Sequence, residues 1–437
     1  MQSASSSVSR SAARIKEKRF FEEKLRNRAK KLNVMKYPWT YIISHEMLPE
    51  DMESFFDDLT MEEAEILLRD SSIELWLKEL IRAIINEFRG NIKSAVNILE
   101  GIDEKNFYVL YNRLRVYTIV GDFEKAEEIE RELKEMDLDK RRSCLLQNEM
   151  GKRMWKKSQF KEALNSFTAV LETALELGDK HLEGIGYNNV ALVLTDIGEY
   201  QQAKELFTRA LEADFTSGND RGIAIAHLNL GECCRMMGDF ESAKEFFDEC
   251  IKATEHLDEY EKTRLSSDCY WNLGQIYAEE HDFEKAHENF ERALALAEKT
   301  GDEELTVRVY LSLGALAVEA KKLYDAQAHM QSAYEIAKAI NSKKYEAESY
   351  ALRGRIDEIE RNYPEALQSY GLAAFLFRQI DDKYNMARME EAAGSIYLIQ
   401  GNKERAIEYF QGAKAKYAAL SYRDFIAIDE KIKKAQI

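Results

Sequence analysis

One short pattern recurs seven times along the chain at a nearly constant spacing, and this repeat limits the fold more than any other feature. Each copy has an alanine, a small residue twelve positions before it and a bulky apolar residue four positions after it. The alanines are Ala163, Ala203, Ala243, Ala286, Ala326, Ala366 and Ala406, with spacings of 40, 40, 43, 40, 40 and 40 residues. A fixed period of this length indicates stacked copies of one supersecondary unit.

The residue types in the pattern fit a pair of packed helices in each copy. A small residue lets two helices approach closely, which must offset the cost of about 1 kcal/mol that a glycine imposes inside a helix. The bulky residue lies one turn beyond the alanine, where we expect it to fill the gap between neighbouring pairs. The small residues are Gly151, Ala191, Gly231, Gly274, Gly314, Gly354 and Gly394, and the bulky ones are Phe167, Phe207, Phe247, Phe290, Met330, Tyr370 and Phe410.

Turn-forming residues separate the predicted helices at regular positions. Between pairs stand dipeptides such as Gly178-Asp179 and Gly301-Asp302, in which the glycine suits the end of one helix and the aspartate caps the next. The chain has only 3 prolines, and 32% of its residues are charged. This composition favours one helix after another.

These positions resemble the tetratricopeptide-repeat (TPR) pattern, as in YWNLGQIYAEEHDFEKAHENFERALALA from Tyr270, across about residues 141–420. The period of 40 and the missing closing proline are similar to the long-helix subgroup of Pins-type scaffolds, kinesin light chains and Rap-type peptide receptors. The resemblance implies an all-α, right-handed α-solenoid of TPR helix hairpins. It also implies a concave groove, lined by the first helix of each hairpin, that binds a peptide or a partner protein.

The repeat predicts five segments in the chain. Weaker copies of the pattern around Ala95 and Ala126 predict degenerate hairpins before the seven clear ones. After them, Phe425, Ile428 and Ile432 share one helix face and predict a helix that covers the open end of the array. The predicted segments are a basic arm at 1–36, an acidic helical connector at 37–72, degenerate hairpins at 73–140, seven repeats at 141–420 and a capping helix at 421–437.

The net charge of −17 is distributed unevenly. Eleven basic and three acidic residues within positions 1–36 give that arm a charge of +8, which leaves −25 on the rest. The acidic body should repel nucleic acid and anionic membranes, whereas the arm could bind RNA, a ribosome or lipid, dock as a helix, or fold onto the acidic residues 50–70. The candidate anion-binding residues are Arg10, Arg14, Lys16, Lys18, Arg19, Lys24, Arg26, Arg28, Lys30 and Lys31.

Projection of the repeat onto helices predicts which side chains line the groove. Asn189, Asn229 and Asn272 occupy one equivalent position in three successive hairpins. The resemblance implies that such an asparagine ladder hydrogen-bonds a peptide backbone; alternatively, the amides bridge neighbouring helices. Inward arginines suit carboxylates, but nearby glutamates could instead pair with them. The full candidate set is Asn188, Asn189, Asn229, Arg235, Trp271, Asn272, Gln275, Arg308 and Arg355.

Catalytic and metal-binding motifs are absent from the sequence. It contains no GxxxxGK[ST], GxSxG, GxGxxG or HExxH, and its five cysteines form no CxxC pair. We therefore expect a non-catalytic adaptor without cofactor or metal, in a reducing, cytoplasmic compartment. The alternatives are a receptor that senses a signalling peptide, and a ribosome- or nucleic-acid-associated factor that acts through the basic arm.

Overall fold

The computed structural model describes residue 68 and residues 74–88, 91–257, 259–419 and 424–436. Over these residues the chain is entirely helical apart from turns, without a β-strand, which confirms the predicted fold class. The predicted basic arm lies outside the described residues, as does nearly all of the acidic connector. The proposed roles of both segments stay predictions.

Contacts between helices divide the chain into two compact units, with the boundary between Gly178 and Asp179. In the first unit, consecutive helices pack in pairs, and the alanines of the two weak repeats, Ala95 and Ala126, are fully buried. Its described helices are α1 (Leu75–Phe88), α2 (Ile92–Glu100), α3 (Phe107–Val120), α4 (Phe123–Lys134), α5 (Lys140–Lys156) and α6 (Phe160–Leu177).

The second unit repeats the same helix pair six times and adds one final helix. The three extra residues of the longest repeat are accommodated by a short 3-10 turn at Thr254–His256 and a longer first helix after it. The helices are α7 (Lys180–Asp196), α8 (Tyr200–Ser217), α9 (Asp220–Met236), α10 (Phe240–Ala253), α11 (Glu259–Glu279), α12 (Phe283–Thr300), α13 (Glu303–Glu319), α14 (Leu323–Ala339), α15 (Lys343–Ile359), α16 (Tyr363–Gln379), α17 (Lys383–Ile399), α18 (Lys403–Ala419) and α19 (Asp424–Gln436).

The junctions between hairpins have the predicted stop-and-start chemistry. Gly178 ends α6 in the left-handed conformation with φ of 65°, and the carboxylate of Asp179 then accepts a hydrogen bond from the Leu182 amide at 3.1 Å. This bond satisfies one of the free amides at the start of α7. The equivalent side-chain caps at other junctions are Asp139, Asn219, Asp302, Ser342 and Asp382.

The small and bulky residues of the repeat meet inside five of the seven clear hairpins, those in which a glycine faces an aromatic ring. A Cβ atom placed on Gly274 would lie 2.5 Å from the ring of Phe290, which stands on the second helix of the same hairpin. We expected the bulky residue to fill the gap between neighbouring hairpins; Phe290 does share a buried cluster with Leu305 and Val309 of the next hairpin, and its ring in addition fills the space beside the glycine of its own hairpin. The other such pairs are Gly151 with Phe167, Gly231 with Phe247, Gly354 with Tyr370 and Gly394 with Phe410.

In the fifth clear repeat, a different residue fills the space beside the glycine. Its bulky residue is Met330 rather than an aromatic residue, and the space beside Gly314 is filled from the next hairpin. There, a Cβ on Gly314 would lie 2.6 Å from Cδ2 of Leu352. A leucine on the following first helix therefore replaces the ring, which ties these two hairpins together.

The final helix covers the last hairpin of the second unit. Ile428 and Ile432 of α19 are buried against Phe410 and Tyr417 of α18. On the same helix, Lys431 forms an ion pair with Glu391 at 2.7 Å. The side chain of Phe425 lies outside the described part of the chain.

One core position of the second repeat holds a carboxyl group where three other repeats have alanine. Asp214 of α8 is 5% exposed and accepts a hydrogen bond from the side-chain amide of Asn219 at 2.8 Å. Gly184 and Gly222 make room for it, since a Cβ on either would lie within 3 Å of the carboxyl. Burial raises the pKa of Asp214 to about 6, against the lowering effects of Asn219 and of His181.

This pKa predicts a pH-dependent stability. The folded state holds the Asp214 proton more tightly than the unfolded state, whose pKa is about 3.9, so the resulting stabilisation is present at low pH and is lost as pH rises through about 6. We expect Asp214→Asn to raise the free energy of unfolding by about 1–3 kcal/mol at pH 7.5 and to change it little at pH 4. Urea unfolding at both pH values measures the difference, and an equal effect at the two would contradict it.

Candidate functional site

A cavity of about 710 Å³ lies along the first helices of three successive hairpins, α11, α13 and α15. Trp271 and Gln275 line it from α11, Leu311 and Ser312 from α13, and Arg355 from α15. First helices are the elements on which the sequence predicted a binding groove. The cavity thus lies on this predicted surface and combines apolar walls with several polar side chains.

One hydroxyl group organises the polar wall of the cavity. The Ser312 Oγ accepts hydrogen bonds from Trp271 Nε1 at 3.0 Å and from Gln275 Nε2 at 2.8 Å, and it donates to the Arg308 carbonyl oxygen. The Arg308 guanidinium lies 4.0 Å from the centre of the Trp271 indole ring. Trp271, Gln275, Arg308 and Ser312 therefore form one connected cluster across α11 and α13, whose orientation is fixed before any ligand arrives.

The three predicted groove arginines each contact an acidic residue. Arg235 pairs with Glu279 at 3.2 Å, and Arg355 pairs with Glu319 at 2.6 Å. These are the internal pairs that the sequence left open as an alternative to ligand binding. Arg308 instead lies 3.5 Å from Asp268, a residue outside the candidate set.

Asp268 belongs to a charge series that the sequence contains at a fixed register. Six residues before the small residue of four successive hairpins stand Asp268, Arg308, Glu348 and Arg388, with alternating charge. Burial raises the pKa of Asp268 to about 6 although Arg308 and Arg264 both lower it. Coulombic attraction from Arg308 and Arg388 likewise opposes the effect of burial on Glu348. Oppositely charged members of the series on neighbouring first helices therefore attract one another.

The asparagine ladder does not occupy the cavity. Asn272 is fully buried, and its amide donates to Glu232 of α9 at 3.0 Å and to the Asp268 carbonyl oxygen at 3.1 Å. The Asn229 amide donates to Asn188 at 2.7 Å, and Asn188 in turn donates to Asn189 at 3.3 Å. These side chains bridge neighbouring first helices, which for Asn272 corrects the groove-facing position predicted from the sequence. The role of the ladder in ligand binding stays a prediction.

Several cavity residues were missed in the sequence because they lie near the beginning of α15. Lys344, Tyr345 and Glu348 line the cavity from there, whereas the projection of the repeat selected Arg355, two turns further on. The alternating charge series was the available signal for Glu348, since it continues from Asp268 and Arg308 at the same 40-residue spacing.

The cysteines of the chain are buried, and neither they nor the histidines belong to a metal-binding cluster among the described residues. All five cysteines are buried free thiols, and burial raises the pKa of Cys233 to about 11. Burial and a hydrogen bond to Cys250 also raise the pKa of Cys269 well above its usual range. Among the described residues, no group of histidine, cysteine and carboxylate side chains is arranged to hold a metal ion. None of the described helices has the length and apolar composition that a membrane span requires.

Comparison with known proteins agrees with the repeat and with the fold. A tetratricopeptide-repeat family model matches residues 182–256 and 266–339, and a second one matches residues 391–414. These stretches of the chain are therefore tetratricopeptide repeats, in agreement with the repeat pattern of the sequence. None of the curated protein sequences matches it significantly.

Three solved structures illustrate the similarity in fold. A Rap protein complexed with competence and sporulation factor has a TM-score of 0.58 at 14% identity, covering 86% of this chain and 99% of its own. The apo quorum sensor NprR from B. thuringiensis has a TM-score of 0.57 at 16% identity, with coverages of 77% and 97%. Aspartyl phosphate phosphatase F from Bacillus subtilis has a TM-score of 0.52 at 14% identity, with coverages of 78% and 94%. At these identities the likeness concerns the fold.

Proposed function

We propose that this chain is a non-catalytic TPR module that binds an extended peptide, either free or as part of a partner protein, on the first helices of its second unit. The observation that carries the proposal is the cavity along α11, α13 and α15, with its preorganised cluster around Ser312. A volume of about 710 Å³ is of the size that ligand sites commonly have. Its apolar wall and polar groups suit a segment with mixed side chains.

The Trp271 cluster favours peptide binding over simple structural packing. Aromatic and arginine side chains dominate the binding energy of many interfaces, and Trp271 and Arg308 lie stacked at the cavity wall. Hydrogen bonds and an ion pair fix their positions. Because they are already ordered, ligand binding costs little side-chain conformational entropy. Asn188, Asn189 and Asn229 extend the proposed surface to the preceding hairpins.

The test of the proposal fills the cavity with a larger side chain, and it uses variants whose helicity and urea midpoint match those of the wild type. A displayed library of random heptapeptides is selected on the immobilised full chain and on two variants, each of which has one alanine replaced by tryptophan. Ala315 lines the cavity on α13, whereas Ala328 is exposed on the second helix α14, outside it. We expect the wild type and Ala328→Trp to enrich the same peptides and Ala315→Trp to lose them. Equal enrichment by both variants, or none by the wild type, would refute the proposal.

An adaptor and a peptide-sensing receptor differ in their response to the bound peptide. Because repeats couple mainly to their neighbours, binding at three hairpins of a passive adaptor should protect backbone amides mostly in α11 to α16. A receptor should also change amide protection in hairpins that do not line the cavity. Hydrogen exchange of the full chain with and without a selected peptide separates the two cases.

A further inference from the structure

Most polar side chains that line the cavity already have a protein partner. Arg355 pairs with Glu319, Glu279 with Arg235, and the Tyr345 hydroxyl donates to Glu304 at 2.8 Å. Arg308 is held between Asp268 and the Trp271 ring. These groups shape the cavity, but their charges are already compensated within the protein.

Glu348 is the exception among the acidic residues of the cavity. Within the described part of the chain, its half-buried carboxylate has no hydrogen bond and no basic group within 4.0 Å. Its two neighbours in the charge series are engaged elsewhere, Arg308 with Asp268 and Arg388 with the Asn385 side chain at 3.2 Å. Burial raises the pKa of Glu348, against the lowering effects of Lys344, Arg308 and Arg388, so these more distant cations compensate the carboxylate incompletely.

The cavity also holds a second free acceptor. The Gln275 amide donates to Ser312 through Nε2, which leaves its Oε1 without a hydrogen bond among the described residues. The cation of the cavity that forms no ion pair there is Lys344, but this side chain is exposed and rests near the Tyr345 ring. An exposed ammonium is already hydrated and gains little from a ligand anion, whereas a half-buried carboxylate gains much from a donor. The two free acceptors of the cavity, the Glu348 carboxylate and Gln275 Oε1, therefore favour a cationic ligand group.

We propose that Glu348 is the specificity-determining residue of the groove and that it pairs with a cationic, hydrogen-bond-donating group of the bound peptide. The group is an arginine guanidinium, a lysine ammonium or the ammonium of a peptide N-terminus. Gln275 Oε1 supplies a second acceptor on the same cavity wall. The inference rests on the proposed function, because it names the chemistry of the ligand that the groove takes.

The same random heptapeptide selection tests this proposal with a matched pair of glutamates. Glu346 stands on the same helix, α15, but it pairs with Lys338 at 3.5 Å and does not line the cavity. We expect wild type and Glu346→Gln to enrich arginine or lysine, or peptides that need their free N-terminus, and Glu348→Gln to lose this preference. Glu348→Lys is expected to reverse it in favour of aspartate and glutamate.

Synthetic peptides distinguish the three sources of the cation on the unmodified protein. Calorimetry compares a selected peptide with versions that carry citrulline for arginine, acetyl-lysine for lysine or an acetylated N-terminus. We expect one of these changes to weaken binding about 10-fold or more, since it removes one partner of a desolvated charge pair. Because only the peptide is altered, this arm does not depend on the folding of any protein variant.

The outcomes separate this inference from the proposed function. If the wild type selects peptides that the cavity-filling Ala315→Trp variant loses, the proposed peptide-binding function is supported. If in that case neither Glu348 variant nor any peptide change alters binding, the role of Glu348 is refuted. Enrichment of acidic peptides that Lys344→Gln abolishes would also refute it. A merely structural role predicts that Glu348→Gln lowers the urea midpoint, whereas we expect no loss, because the native carboxylate has no close partner and is penalised by burial.

Discussion

Replacement of Gly274 by leucine is expected to destabilise the chain by about 3 kcal/mol or more, at the upper end of the usual overpacking cost. The reason is the distance of 2.5 Å between a Cβ at this position and the Phe290 ring, which is too short for any side chain. Both residues are in the interior of one hairpin, so the α11–α12 pair must separate or the ring must leave its place. Urea unfolding followed by circular dichroism measures the loss.

The matched control is a glycine in the interior of another helix. Gly371 of α16 has no atom within 4 Å of its ideal Cβ, so Gly371→Ala adds a side chain in open space. It is expected to stabilise the chain by about 0.5–1 kcal/mol, because alanine is the better helix former. Hydrogen exchange should show that the Gly274→Leu damage starts in α11 and α12 and their neighbours. If the Gly274→Leu variant unfolds at the same urea concentration as the wild type, the close-packing argument is refuted.

Removal of the Arg153 guanidinium is expected to destabilise the first unit by about 3–5 kcal/mol. Arg153 of α5 contacts Glu127 and Glu130 of α4, each at 2.6 Å. The side chains of Arg153 and Glu130 are only 8% and 9% exposed, so Arg153→Ala leaves a buried carboxylate with only Lys134 as a partner. Thermal and urea unfolding of Arg153→Ala measure the cost.

A surface ion pair of the same length provides the comparison. Arg292 contacts Glu288 at 2.6 Å on α12, but the two side chains are 54% and 58% exposed. Since water screens such pairs, Arg292→Ala is expected to cost less than about 0.5 kcal/mol. A similar cost for the two variants would mean that the Arg153 cluster is solvated in solution, and that burial does not decide its contribution.

The repeat alone was sufficient to predict the all-α hairpin architecture. The spacing of Ala163 to Ala406 set the phase of seven hairpins, and dipeptides such as Gly178-Asp179 placed the helix ends. Such predictions succeed because helix periodicity, caps and left-handed glycines depend on a few neighbouring residues. A position such as Gly274 was also assigned correctly as a point of close helix packing, since glycine inside a helix otherwise costs stability.

The candidate site was only partly accessible to the same reasoning. Trp271, Gln275, Arg308 and Arg355 were predicted as groove residues and do line the cavity. Glu348 was missed, although its charge continues a series that the sequence displays. A helix projection shows which face a residue occupies, but it does not show which of several neighbours a charged side chain contacts.

The sequence by itself thus determined the class of fold, the phase of its repeats and the helices that carry the proposed site. The tertiary structure decided how their polar groups are used: Asn272 bridges α11 to α9, Arg355 pairs with Glu319, and Arg308 turns to Asp268 and Trp271. It also decided that Glu348 keeps its carboxylate free toward the cavity. The physical reason is that helix periodicity is local, whereas the partner of a long polar side chain is chosen by distance, burial and competing charges on helices about 40 residues away in the sequence.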